Sequence, residues 1–125
     1  MNVVDSSGWL EYFVDSKNAG HFAGPLEDRD KLIVPTICLY EVFKLVLRER
    51  GEEAALQAVA LMKQGKQAPL TDSLAIQAAK MSMDYKLPMA DSIILTTTRA
   101  FDAVVWTQDE DFSGIDGVKY FPKPS

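Results

Sequence analysis

Two residue types that often carry enzyme chemistry are almost missing from this 125-residue chain, which has one cysteine, Cys38, and one histidine, His21. A lone cysteine excludes an intramolecular disulfide and a thiolate metal cluster. A lone histidine excludes a multi-histidine zinc site and acid–base cleavage of RNA by a histidine pair. Glycine-rich phosphate-binding loops and the Gly-x-Ser-x-Gly setting of serine hydrolases are also missing. We therefore expect Cys38 to be a core residue and His21 a surface residue, and catalysis to rest on other side chains.

Long hydrophobic runs and an excess of positive charge are missing as well. No stretch approaches the ~18 apolar residues that cross a bilayer, and the start MNVVDSS lacks the basic and apolar segments of a signal peptide. The formal net charge of −5 argues against a generic basic surface for nucleic acid. We therefore expect a cytoplasmic protein with no membrane segment, which would need bound cations to approach an anionic substrate.

Short apolar runs alternate with helical patterns along the whole chain. We expect strands at 2–4, 32–35, 67–70, 103–106 and 118–121. We expect helices at 6–14, 36–50, 52–63, 72–85 with Asp72 as the cap, and 89–101. The segment 18–29 contains Gly20, Gly24 and Pro25, which predicts a broken helix at best. The alternation predicts one domain, residues 1–125, a three-layer α/β/α fold with a mostly parallel five-stranded sheet of order 3-2-1-4-5.

Acidic residues follow apolar runs at four places. Asp5 follows the first strand, and Asp109 lies just past the fourth. Glu41 and Asp91 lie near the starts of two helices. Because ligands of open parallel sheets bind beyond the carboxyl ends of the strands, we expect the four side chains to converge there. Converging carboxylates are what a hard cation such as Mg²⁺ requires, and metal-assisted phosphodiester chemistry follows from it.

Each acid also has a purely structural interpretation. Asp5 could cap the first helix, and Glu41 could pair with Lys44 one turn further on. Asp91 could simply occupy a helical first turn, where acids are favoured, and the acids 109–111 could form a solvated turn. Four such coincidences would be needed together, so convergence is the simpler interpretation.

The residues that follow Asp5 do not match the motifs of other acidic α/β proteins that have an aspartate after the first strand. A haloacid-dehalogenase-type phosphatase has a second aspartate where this chain has Ser7, and a metal-dependent adhesion site has a serine where it has Trp9. A receiver domain has an aspartate ending a central strand and a late lysine, and neither is recognisable here. A metal-dependent phosphatase or receiver stays a third interpretation, marked by small phosphoester turnover or phosphoacceptor activity without RNA cleavage.

Four local strings resemble those of PIN-domain ribonucleases, and more narrowly those of VapC-type toxins from type II toxin–antitoxin pairs. They are VDSSGWLEYF from Val4, YEVFK around Glu41, LPMADSIILTTT from Leu87 and WTQDEDF from Trp106. The resemblance spans essentially the whole chain and implies a PIN-like fold. It implies a catalytic and metal-binding quartet of Asp5, Glu41, Asp91 and Asp109. It also implies a lower-ranked further acid, Asp111, and supporting hydroxyls on Ser6 and Thr107.

The resemblance implies a function and partners too. We expect a Mg²⁺-dependent endoribonuclease, with Mn²⁺ as a possible substitute, that hydrolyses RNA phosphodiester bonds with metal-activated water. Family members are usually homodimers, and a small antitoxin neutralises them by laying its C-terminal segment in an apolar groove with a basic side chain among the carboxylates. The alternative function is a catalytically silent PIN-like binding or scaffold module.

Two sets of residues are assigned more loosely. The candidate RNA phosphate contacts are Lys44, Arg48 and Arg99, whose alternative is a solvated charged face. The candidate antitoxin groove consists of Trp9, Tyr12, Phe13 and Phe22, whose alternative is an ordinary aromatic core.

Overall fold

The computed structural model describes residues 1–124, in which five strands and six α-helices alternate. The strands are β1 (Asn2–Val4), β2 (Leu32–Pro35), β3 (Lys66–Ala68), β4 (Val104–Thr107) and β5 (Val118–Tyr120). The helices are α1 (Ser6–Val14), α2 (Ala19–Glu27), α3 (Thr36–Arg50), α4 (Glu52–Met62), α5 (Asp72–Tyr85) and α6 (Met89–Ala100). Short 3₁₀ turns lie at Arg29–Lys31 and Glu110–Phe112. No helix in this part of the chain has the length and hydrophobicity needed to cross a bilayer.

The strands form one sheet of order β3-β2-β1-β4-β5, and all of its pairings are parallel. This confirms the predicted fold class and strand order. The order reverses beside β1, whose last residue Val4 is in register with Trp106 of β4. The Asp5 amide continues that ladder by donating to the Trp106 carbonyl at 3.0 Å. The chain segments that follow β1 and β4 therefore start side by side at the carboxyl edge of the sheet.

Helix α6 packs against the sheet with every residue from 91 to 98 buried, although three of them are threonines. The hydroxyls of Thr96, Thr97 and Thr98 each donate to the backbone carbonyl four residues earlier, at 2.7–2.8 Å. A buried hydroxyl costs little once it is hydrogen-bonded, so a polar sequence can form a core helix. This burial holds Asp91, in the first turn of α6, at the carboxyl edge.

Helix α1 lies unusually close to β1 because of Gly8. A Cβ atom at position 8 would lie 2.6 Å from Cγ1 of Val4 and 2.8 Å from Cδ1 of Phe22. Only a residue without a side chain allows this approach. The close contact places the first turn of α1, with Ser6 and Ser7, directly over the end of β1.

The prediction of a broken helix at 18–29 is wrong, because α2 is continuous and contains Pro25. Phe22, Pro25 and Leu26 are all buried, whereas Gly20 and Gly24 are exposed. Tertiary packing of one apolar face therefore outweighs the poor intrinsic helix propensity of glycine and proline.

The other predicted elements are present, with ends that differ by one or two residues. Strands β3 and β4 occupy Lys66–Ala68 and Val104–Thr107 rather than 67–70 and 103–106. Helix α5 is capped by Thr71, whose hydroxyl accepts from the Leu74 amide at 3.2 Å, so the predicted cap Asp72 is instead its first residue. The last residue of the predicted domain 1–125 lies outside the described residues.

Candidate active site

Asp5 lies at the centre of the carboxyl edge and is only 3% exposed. It occupies the N-cap position of α1, but its side chain makes no capping hydrogen bond there. Its Oδ2 instead accepts from Ser7 Oγ at 2.7 Å and from Thr107 Oγ1 at 2.9 Å. The capping interpretation of Asp5 is therefore wrong, and the carboxylate is held across the sheet edge.

Burial raises the pKa of the Asp5 carboxyl, and the hydrogen bonds from the two hydroxyls partly oppose that rise. The negative charges of Asp109 and Glu41 raise the pKa further. The Asp5 carboxyl thus interacts electrostatically with one acid from the segment after β4 and with one from α3. Its environment favours either a proton or a nearby cation.

The segment after β4 is tied to Asp5 through Thr107. The Asp109 amide donates to Thr107 Oγ1 at 2.9 Å, and the Asp111 amide donates to Asp109 Oδ1 at 3.0 Å. Asp109 thereby caps the turn Glu110–Phe112. This turn is not merely a solvated run of acids, because it presents two carboxylates to the crevice beside Asp5.

Asp91 meets those two carboxylates from the opposite side. Asp91, Asp109 and Asp111 each offer an oxygen atom, and the three atoms lie within 4.8 Å of one another. The pKa of Asp91 is raised to about 8, first by burial and then by the charges of Asp5 and Asp109, by hydrogen-bonding proximity to Asp109 and by the charge of Asp111. Asp111, ranked below the quartet from the sequence, belongs to this closest group.

Glu41 reaches the same edge from α3. Its Oε1 accepts from Ser6 Oγ at 2.7 Å, which links the first turn of α1 to α3. Lys44 does not pair with it in the described structure. The Lys44 Nζ lies 3.5 Å from the Tyr40 hydroxyl and 5.6 Å from the centre of that ring. The structural alternative for Glu41 is therefore wrong.

Among residues 1–124, no basic side chain lies within ion-pair distance of this group of acids. Within residues 1–124 the one ion pair within 4.0 Å joins Arg48 to Glu49 at 3.7 Å on the exposed face of α3. Arg99, a candidate phosphate contact, lies near the other end of α6. Its guanidinium donates to the Tyr85 hydroxyl at 3.2 Å and packs over that ring. The structure thus brings the acids and both predicted hydroxyls together and leaves Arg99 apart.

The donor set fits a hard divalent cation. All of the ligand atoms are carboxylate or hydroxyl oxygens, which suit Mg²⁺ and Mn²⁺ better than softer metals. Several carboxylates share a partly buried edge without a basic partner among residues 1–124, and burial first, then mutual repulsion, raises the pKa values of Asp5 and Asp91. A bound cation would relieve that repulsion.

The hydroxyl of Ser7 was not among the predicted site residues, because Ser7 was compared only with the motifs of other acidic α/β proteins. The signal was its position two residues after Asp5, where a first-turn side chain can return to the preceding carboxylate. Cys38 is buried beneath the site with its Sγ 4.0 Å from the Val4 carbonyl. Burial raises the pKa of its thiol well above the usual range, consistent with an inert core residue.

An apolar groove opens beside the acids, and of the four aromatic residues predicted to form it only Phe13 is among the residues that line it. Trp9 and Phe22 are buried in the core, so the groove predicted from them is wrong, and Tyr12 donates to Glu27 of α2 at 3.0 Å. The groove lies between α1, α3 and α4 and has a volume of about 480 Å³. Its apolar walls include Leu10, Phe13, Leu45, Val46, Ala58 and Leu61. Ser7 and Gln108 also line it, so it adjoins the site.

Comparisons with known proteins agree with this architecture. The family model named PIN domain matches residues 3–118. A toxin–antitoxin complex from Klebsiella pneumoniae is similar in structure, with 19% identity and a TM-score of 0.83 over 98% of this chain and 100% of that one. Mycobacterium tuberculosis VapC20, described as a toxin cleaving the sarcin–ricin loop, has 19% identity and a TM-score of 0.78 over 94% and 97%.

A third similar structure is VapBC2 from Rickettsia felis bound to a DNA fragment from its promoter. Its identity is 10% and its TM-score 0.73, over 97% of each chain. No curated protein sequence matches the chain. At these identities the structural likeness concerns the fold, and it confirms the predicted fold class.

Proposed function

The chain belongs to the PIN domain family, as the resemblance predicts, and on this premise we propose that it is a metal-dependent endoribonuclease and the toxin of a toxin–antitoxin pair. One observation carries the proposal. Carboxylates from four separate segments meet at one sheet edge, and no basic side chain in residues 1–124 lies within 4.0 Å of them. Structural elements seldom gather charges of one sign without a function. We propose that the whole chain, 1–125, acts as one domain in the cytoplasm.

The proposed metal ligands form two groups according to their position. Asp91, Asp109 and Asp111 offer the closest oxygens, and Asp5, directly after β1, and Glu41 of α3 complete the ligand set. When bound, Mg²⁺ or Mn²⁺ would activate water and stabilise negative charge on the phosphate. Ser7 and Thr107 hold the Asp5 carboxylate, and Ser6 holds Glu41, so their hydroxyls orient ligands that would otherwise repel each other.

Two exposed cations on α3 are proposed to contact RNA phosphates. Lys44 and Arg48 lie one and two turns beyond Glu41, on the same side of α3. A phosphate held there would lie next to the carboxylates. Arg99 is not included, because its position near the far end of α6 separates it from this side of the molecule.

The proposed function predicts RNA cleavage that depends on a divalent metal. Incubation with RNA and millimolar Mg²⁺ or Mn²⁺ should give discrete cuts, a chelator should stop them, and added Mg²⁺ should restore them. Because the attacking group is water rather than the ribose 2′-hydroxyl, a 2′-O-methyl group at the cut nucleotide should leave the scissile bond cleavable. Mapping the product ends in total RNA would identify the target.

Other results would favour the alternatives. Equal, negligible cleavage with and without chelator would indicate a silent binding or scaffold module. Turnover of small phosphoesters without RNA cleavage would indicate a phosphatase. A 2′-O-methyl block on cleavage would contradict water as the nucleophile.

We further propose that the groove between α1, α3 and α4 receives an apolar segment of the antitoxin. It adjoins the acids, so a basic side chain at the end of such a segment could reach them. Leu61→Glu should weaken antitoxin binding about 10-fold or more while sparing RNA cleavage, because it places a charge in the groove without altering the crevice. Binding can be measured with the product of a short reading frame next to this gene.

Leu56 provides a matched control for this prediction. Both leucines lie on α4 with similar exposure, 54% for Leu56 and 43% for Leu61, but Leu56 does not line the groove. Leu56→Glu should therefore bind antitoxin as the wild type does. Equal binding by the two variants would place the antitoxin elsewhere. The homodimer implied by the resemblance stays a prediction.

A further inference from the structure

We infer that a polar network of the buried Asn18 and Gln108 with the half-buried Glu11 positions the loop that carries Asp109 and Asp111. The inference rests on the proposed function, because it assigns to these three residues the placement of its metal ligands. None of them donates to or accepts from the site carboxylates within residues 1–124. They are therefore positioning residues and not catalytic ones.

Gln108 is the centre of the network and is only 7% exposed. Its Nε2 donates to Glu11 Oε1 at 3.2 Å, and its Oε1 accepts from Asn18 Nδ2 at 2.9 Å. Its backbone amide donates to Ser7 Oγ at 3.3 Å, and the Ser7 hydroxyl in turn donates to Asp5. Both ends of the side chain and the backbone amide are thus engaged.

Asn18 closes the network. It is 6% exposed, its backbone amide donates to Glu11 Oε2 at 3.0 Å, and its Nδ2 also donates to the Pro122 carbonyl at 3.0 Å. Three residues therefore join α1, the turn before α2, the segment after β4 and the C-terminal tail. Both oxygens of Glu11 and both hydrogens of the Asn18 amide are used.

The network has one consistent orientation. A carboxylate only accepts hydrogen bonds, so Glu11 requires Gln108 to present its NH₂ group, and the Gln108 oxygen must then face the Asn18 NH₂ group. Rotating either amide by 180° would place like groups against each other. Buried polar groups left unpaired are costly, so the loop has a single favoured position.

The position of Gln108 connects this network to the metal ligands. It lies between Thr107, which donates to Asp5, and Asp109, whose amide donates to Thr107. In extended backbone successive side chains point to opposite sides. Gln108 therefore anchors the loop from one side while its two neighbours serve the site on the other. Displacing the anchor should move Asp109 and, through it, Asp111.

Gln108→Met tests this role because it keeps the side-chain length and removes its hydrogen bonds. We expect the Mg²⁺ concentration for half-maximal cleavage and the Mn²⁺ dissociation constant without RNA to rise about 10-fold or more, the range found for residues that support metal ligands. The KM for RNA should change less than about 3-fold while kcat falls. These constants should be measured at a temperature well below the Tm of the variant, so that unfolding does not contribute to them.

Leu32→Val is the control for a general loss of stability. Leu32 is buried in β2 at the amino edge of the sheet, so its variant should lower the Tm and leave both metal constants unchanged. Metal constants for Gln108→Met equal to those of wild type and of this control would overturn the inference.

A charge exchange gives a second, independent test. Gln108→Glu alone places two carboxylates against each other at positions 11 and 108 and should weaken metal binding. In the double variant Glu11→Gln, Gln108→Glu, the new amide can donate to the new carboxylate, which still accepts from Asn18. We expect metal affinity within about 3-fold of wild type. A double variant as impaired as Gln108→Glu would overturn the inference.

The two readouts separate this inference from the proposed function. A wild-type protein that binds Mn²⁺ but cleaves no RNA would contradict the nuclease, while the Mn²⁺ constants would still test the network. A wild-type protein that cleaves RNA, with Gln108→Met binding Mn²⁺ equally well, would contradict the network alone.

Discussion

Asp5→Asn and Asp91→Asn are each expected to reduce RNA cleavage by about 10²–10³-fold while leaving the fold intact. Each change removes a negative charge that a bound cation needs, and lost electrostatic stabilisation of this kind costs about 10²–10³-fold in rate. Asparagine has nearly the same shape, and its side-chain oxygen at position 5 can still accept from Thr107. The single-turnover cleavage rate at saturating Mg²⁺ measures the loss of activity. Circular dichroism of each variant checks that the fold is intact.

Glu53→Gln is the control for these two substitutions, because Glu53 is an exposed acid in the first turn of α4. It should cleave RNA at the wild-type rate. Retention of the wild-type rate by Asp5→Asn or Asp91→Asn would count directly against the assigned site.

The second large expected effect is a stability that depends on pH and on metal. The pKa of Asp91 is about 8 in the folded protein, against about 3.9 for an unfolded aspartate. Between these values the folded state holds a proton that the unfolded state has released, so metal-free stability is lost as pH rises from about 4 to 8. Since the crevice opens to water, we expect about 2 kcal/mol, or roughly 6–10 °C in Tm for a chain of this length, rather than the full shift.

Divalent metal should reverse this loss. At pH 8, millimolar Mg²⁺ should raise the Tm by several degrees, because it binds the folded state only. At pH 5 the effect should be smaller, because protons compete with the metal for the same oxygens. Asp91→Asn should flatten the pH dependence and raise the metal-free Tm at pH 8. Calorimetry tests this prediction. The same Tm for the wild type at pH 5 and pH 8, whether or not Mg²⁺ is present, would contradict a site in which the acids share one cation.

The placement of the acids could be predicted from sequence because it follows from topology. In a parallel sheet the residues after adjacent strands meet at one edge, so the order 3-2-1-4-5 brings Asp5 and Asp109 together whatever their side-chain rotamers. Asp91 could be included because the first turn of its helix begins at the same edge. These arguments need only strand order and chain direction.

The groove and the network could not be predicted in this way. Which aromatic residues of α1 face the core depends on how that helix is rotated, and its contact at Gly8 fixes the rotation. The pairing of Asn18 with Gln108 joins residues 90 positions apart, and only the packed tertiary structure brings them together. The continuity of α2 likewise depends on the packing of Phe22 and Leu26 and not on local propensity.

If the chain is toxic as proposed, the close packing at Gly8 makes this position a site of mutations that let cells carrying the gene survive. A single added methyl group there would press on a stiff valine of the central strand and lift the helix that bears both serines. Such a change would leave each acid in the sequence while loosening Asp5 and Glu41. Spontaneous escape from growth arrest should therefore include substitutions at this glycine, a residue with no chemistry of its own.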